Sequence, residues 1–227
     1  MPGSSWPPLS TLAVAGYALL VMGGTAVEGF RGSGLPGWAL AGLAILAVPA
    51  TVAAWADRLP AINSLMAGGV AACLGALLHA LDGVTGFPLG AWRWGEAGGP
   101  MLLGVLPWVL PVAWFVTTLL TRGVARWWWM SGRGGGSRGV LVIATATLLG
   151  AGLLLGLLAA GSRAQWCSAP ASGWLPTVAT VLAGQVFLQV ALTPLLLDKF
   201  PRERPPGIGP VLVLAPLVLL LLAAARA

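Results

Sequence analysis

His79 and Asp82 are the side chains best suited to proton chemistry in this chain, and they lie three apart at the end of a long apolar run. That spacing puts both on one face of a helix. A carboxyl group drawn out of water favours its protonated form and can act as a general acid, with a neighbouring imidazole to tune or reload it. Thr85, three residues further on, offers a hydroxyl that can position water. Trp92 and Trp94 follow within the connector LDGVTGFPLGAWRWGEAGGP, residues 81–100, and indole faces stabilise cations. A plainer reading of the same residues stays open. His79 and Asp82 then mark the water interface and cap the helix, and Trp92 and Trp94 belong to an interfacial aromatic belt. Arg93 and Glu96 would form an exposed ion pair worth under ~1 kcal/mol.

Other chemistries find little support. The acids are Glu28, Asp57, Asp82, Glu96, Asp198 and Glu203. No two are spaced about four apart on one helix, as a magnesium-diphosphate site of a membrane prenyltransferase would require. One histidine and two distant cysteines, Cys73 and Cys167, cannot build a metal shell or a disulfide framework. No metal and no cofactor are expected. RWWWMSGRGGGSRG (126–139) reads as a loop with an aromatic belt and lipid-phosphate contacts, since it lacks a phosphate-binding GxxxxGK[ST]. DKFPRERPPG (198–207) reads as a solvated connector.

The elements that must hold these residues follow from composition. Of 227 residues, 58% are hydrophobic and only 8% charged, with a mean hydropathy of +0.90. A water-facing surface needs about 25% charged residues, so the class is an all-α integral membrane protein. The whole chain reads as one transmembrane domain. Seven apolar runs can be drawn, over 9–27, 38–56, 62–81, 101–121, 140–160, 174–197 and 210–225, each near the ~20 residues that a bilayer requires. The run starting at Leu9 lacks a basic lead-in and reads as a retained helix. The net charge of +6 is no nucleic-acid footprint, because the arginines are scattered among short connectors. Eight Lys and Arg fall in the second, fourth and sixth connectors, against four elsewhere. The N-terminus is therefore expected in the cytoplasm and the 81–100 connector outside. Arginine-rich, lysine-poor usage suggests a GC-rich bacterial genome and hence the bacterial inner membrane.

TGFPLGAWRW, followed by GVLPWVLPVAW, resembles the carotenoid biosynthesis family whose members hydrate the terminal double bond of acyclic carotenoids. Thr85, Gly86, Pro88 and Gly90 match its Thr-Gly-x-Pro-Phe-Gly-x-Tyr-x-Tyr element; Leu89 replaces the Phe, and Trp92 and Trp94 the two Tyr. Pro107, Pro111 and Trp114 reproduce the Pro-x-x-x-Pro-x-x-Trp of the following helix. His79 stands where the family carries Glu. A later Trp-rich element is only partly kept, in Trp166, Pro170, Gly173 and Trp174.

The resemblance implies a cofactor-independent hydration by protonation and water capture. The polyene substrate would arrive from the bilayer. Asp82 is the expected proton donor, with His79 tuning it and Thr85 placing water. Trp92, Trp94, Trp114, Trp108, Phe87 and Pro88 would line the carotenoid end. Two other classes remain: a non-catalytic carotenoid or lipid carrier, and a small structural or assembly subunit of the membrane. Oligomeric state is not specified by the sequence.

Overall fold

A computed structural model describes residues 13–18, 21, 37–56, 58–95, 99–130, 138–163, 165–168, 170, 172–196 and 208–224. It is all-helical apart from two short strand pairs. Residues 13–18 are helical (α1). They are followed by α2 (Gly37–Trp55), α3 (Ala61–Thr85), α4 (Val109–Met130), α5 (Arg138–Arg163), α6 (Trp174–Ala191) and α7 (Gly209–Ala224). Of these, α3, α5 and α6 are long and apolar enough to cross a membrane.

α4 is the central helix, packed against α2, α3, α5, α6 and α7. Its residues Trp114, Thr118, Leu119, Leu120 and Thr121 are fully buried. Small residues let the neighbours approach this helix, as is usual where lipid supplies no hydrophobic drive for helix association. A methyl group at Gly75 of α3 would fall on the Trp114 ring, and one at Gly68 on the Phe115 ring. Gly184 of α6 faces the far edge of the same Trp114.

The fourth apolar run is corrected by the structure. It was expected over 101–121, but the helix is Val109–Met130. Met101–Leu102 (β2) and Leu106–Pro107 (β3) instead form an antiparallel hairpin. Pro107 has no amide hydrogen and disfavours a helical Leu106, and the hairpin it belongs to takes up the chain ahead of the helix. At the other end nothing breaks the helix before Met130. Trp127, Trp128 and Trp129, read from sequence as part of a loop, therefore sit in the last turns of α4. Trp129 donates its indole hydrogen to Thr145 of α5 (2.8 Å).

Arg122 was also read as a connector residue; it is buried inside the bundle. Its guanidinium donates to the Gln189 carbonyl (2.7 Å), Gln189 Oε1 (3.3 Å) and Thr193 Oγ1 (3.1 Å). One turn on, Arg126 donates to the Leu196 carbonyl (2.8 Å). Helix α6 stops at Ala191 and is followed by turns over 192–196 that contain Pro194. The two arginines serve carbonyls that a helix end leaves without amide partners, and their charge suits the negative end of its dipole.

Candidate functional site

The last turn of α3 presents His79 and Asp82 inward, both fully buried. Gly86 then ends the helix at φ 72°, a left-handed cap that glycine adopts without steric cost, with its amide donating to the Asp82 carbonyl (2.7 Å). Beyond this cap the chain wraps around the Asp82 side chain. Oδ1 accepts from the amides of Leu89 (2.9 Å), Gly90 (2.8 Å) and Ala91 (3.0 Å), and Oδ2 from that of Trp92 (2.7 Å). The Phe87–Pro88 peptide in this loop is cis. Gly90 has φ 108°, and any side chain there would strike Ser172 Oγ. The Asp82 carboxylate acts here as the organising acceptor of a loop, a use to which charge-assisted bonds to backbone amides are well suited.

The loop is tied on its other side to the start of α6. Thr177 accepts from the Trp92 indole (3.0 Å) and donates to the Leu89 carbonyl. Thr180 donates to the Pro88 carbonyl (3.0 Å) and Ser172 to that of Gly90 (3.3 Å). Arg93–Trp94 (β1) then pairs with Cys167–Ser168 (β4), and the Gly95 amide donates to the Trp166 carbonyl (2.7 Å). The two connectors whose motifs are far apart in sequence are thus one structure.

These contacts assemble an aromatic cage. Trp94 meets His79 edge-to-face (5.4 Å between centroids) and stacks on Trp92 (5.9 Å), which meets Trp174 edge-to-face (5.2 Å). On the inner side the Trp114 indole donates to His79 Nε2 (3.4 Å). His79 Nδ1 and Trp94 Nε1 are buried with no hydrogen-bond partner. Cation-stabilising ring faces and an imidazole therefore share one enclosure.

Of the residues singled out from sequence, His79, Asp82, Trp92, Trp94 and Trp114 come together here. Pro88 lies in the loop and contributes its carbonyl to Thr180. Phe87 (75% exposed) and Trp108 (46% exposed) lie on the outer surface. Thr85 is also exposed; its hydroxyl donates to the Leu81 carbonyl (2.7 Å) and accepts the Phe87 amide (3.1 Å). Glu96 lies outside the described residues. Sequence reasoning did not assign Ser172, Trp174, Thr177 and Thr180 to the site. The available signal was Thr177 and Thr180, three apart at the start of the sixth run, just after the second Trp-rich segment.

Cys167 beside the cage is no nucleophile, because burial pushes its thiol up to about 12. Among the described residues, no three of His, Cys, Asp and Glu group as metal ligands would.

Comparison with curated proteins and with solved structures gives no match. A family model described as "Carotenoid biosynthesis protein" matches residues 36–167. The matched region covers more than half of the chain and runs from α2 to β4, taking in the Asp82 loop, His79 and Trp114. The chain therefore belongs to the carotenoid biosynthesis protein family, and its role lies in carotenoid biosynthesis.

Proposed function

We propose that the protein hydrates the terminal double bond of an acyclic carotenoid. The observation that carries this reading is the cage itself. His79, with Nδ1 unpartnered, lies between Trp94 and Trp114, with Trp92 stacked behind Trp94, toward the end of a helix apolar enough to span a bilayer. In the proposed step the Trp114 indole releases His79 Nε2, which takes up a proton from water, and the imidazolium so formed passes its Nδ1 proton to the terminal alkene, leaving a tertiary carbocation. The indole faces stabilise that cation, water adds to it, and the proton lost by the water returns to His79. The net change is the gain of one water. Asp82 is fully engaged with four loop amides, so its part in this scheme is to position the loop beside His79. His79 takes the donor role that spacing alone suggested for Asp82.

The occupation of Asp82 favours a second reading, in which the cage holds a carotenoid without converting it. Coexpression with a pathway that makes acyclic carotenoids, followed by chromatography and mass analysis, separates the two. Hydration yields pigment heavier by one water, and His79→Ala abolishes it. Pigment that copurifies at unchanged mass selects the carrier reading.

A further inference from the structure

The polar atoms around the cage are unevenly matched. Asp82 has given its oxygens to four amides, and Thr177 Oγ1 both accepts from Trp92 and donates to Leu89. Trp114 spends its indole hydrogen on His79 Nε2, so the neutral imidazole carries its hydrogen on Nδ1. Two buried nitrogens remain unpaired, His79 Nδ1 and Trp94 Nε1, on rings 5.4 Å apart. Both are donors.

A ligand end made only of hydrocarbon leaves these two buried donors without partners, whereas an end that accepts from them gains roughly tenfold in affinity for each bond. A hydroxyl or carbonyl oxygen has two lone pairs and can accept from both. We propose that the cage recognises an oxygen-bearing carotenoid end, whose oxygen accepts from His79 Nδ1–H and Trp94 Nε1–H while the chain beside it lies among the indole faces. This rests on the carotenoid-end reading above and adds its specificity. For a hydratase, the tertiary alcohol is then held more tightly than the alkene that gave rise to it.

The test is a titration of purified protein in detergent, read by quenching of tryptophan fluorescence. The ligands are two acyclic carotenoids of equal length, one ending in an alkene and one in the tertiary alcohol. The alcohol should bind at least ~10-fold more tightly. His79→Phe and Trp94→Phe should each reduce that ratio to a few-fold. His79→Gln, which keeps an N–H donor, should recover part of it. Near-ultraviolet circular dichroism checks that each variant is folded. Equal binding of the two pigments to the unmodified protein, or a ratio that survives both Phe variants, overturns the inference. If neither pigment binds, the carotenoid-end reading falls and takes the inference with it. If the ratio holds but coexpression gives no hydrated product, hydration alone is lost.

Discussion

Asp82 illustrates how one side chain can fix a whole connector. Hydrogen bonds to a charged group contribute about 1.5–3 kcal/mol each, and this carboxylate accepts four in a fully buried position. Asp82→Ala leaves those amides without an acceptor. It should destabilise the fold by at least ~3 kcal/mol, seen as a lower melting temperature in detergent. Asp82→Asn keeps an acceptor oxygen for Leu89, Gly90 and Ala91 but turns an amide donor toward the Trp92 N–H. A loss of roughly 1–2 kcal/mol is expected. An Asn variant that melts like the unmodified protein yet makes no product would return Asp82 to the role of proton donor. That His79 and Asp82 share the inner face of α3 was legible in their spacing. The direction in which Asp82 turns was not, because it depends on positive φ at Gly90 and Ala91, which aims consecutive amides at one carboxylate. No residue type announces that for Ala91.

At the scale of elements, the cage depends on the seating of Trp114. This indole is held between Gly75 of α3 and Gly184 of α6, and from there it reaches His79. Gly75→Ala places a methyl group within the ring and should cost ~1–3 kcal/mol through overpacking. It should also move the indole off His79, so pigment conversion falls further than stability alone explains. Product yield normalised to folded protein measures the difference; a normalised yield equal to that of the unmodified protein would free Trp114 of any role at the site. Helices α2, α3, α5, α6 and α7 were legible because long uniform apolar runs have few alternatives; most of the run 9–27 lies outside the described residues. The β2–β3 hairpin was not. Its turn places Leu103 (φ 51°) and Gly104 (φ 70°) at its centre, closed by the Val105 amide on the Leu102 carbonyl (3.0 Å). Turns of this kind favour Asn-Gly, and a leucine in an apolar run reads as helix. Thr177 and Thr180 were missed for a related reason, since hydroxyls within a membrane helix usually bond their own backbone. Here they bond to another segment.

For the molecule as a whole, the pairing of β1 with β4 puts the connector after α3 and the one after α5 at the same end. That end holds the cage, while Arg126 and Arg138 lie toward the other. With Arg122 inside the bundle, seven Lys and Arg remain in or beside the even-numbered connectors, Arg58, Arg126, Arg133, Arg138, Lys199, Arg202 and Arg204, against four elsewhere. The bias keeps its sign, and it predicts that the cage lies at the outer face of the cell membrane. Alkaline phosphatase, active only outside the cytoplasm, should be active when fused after residue 97 and inactive when fused after residue 134 or 203. The reverse pattern would place the cage at the cytoplasmic face. The difference bears on chemistry as well as topology. In the proposed hydration, the face at which the cage lies sets the aqueous phase that supplies water and protons to His79, and the leaflet from which a carotenoid end approaches.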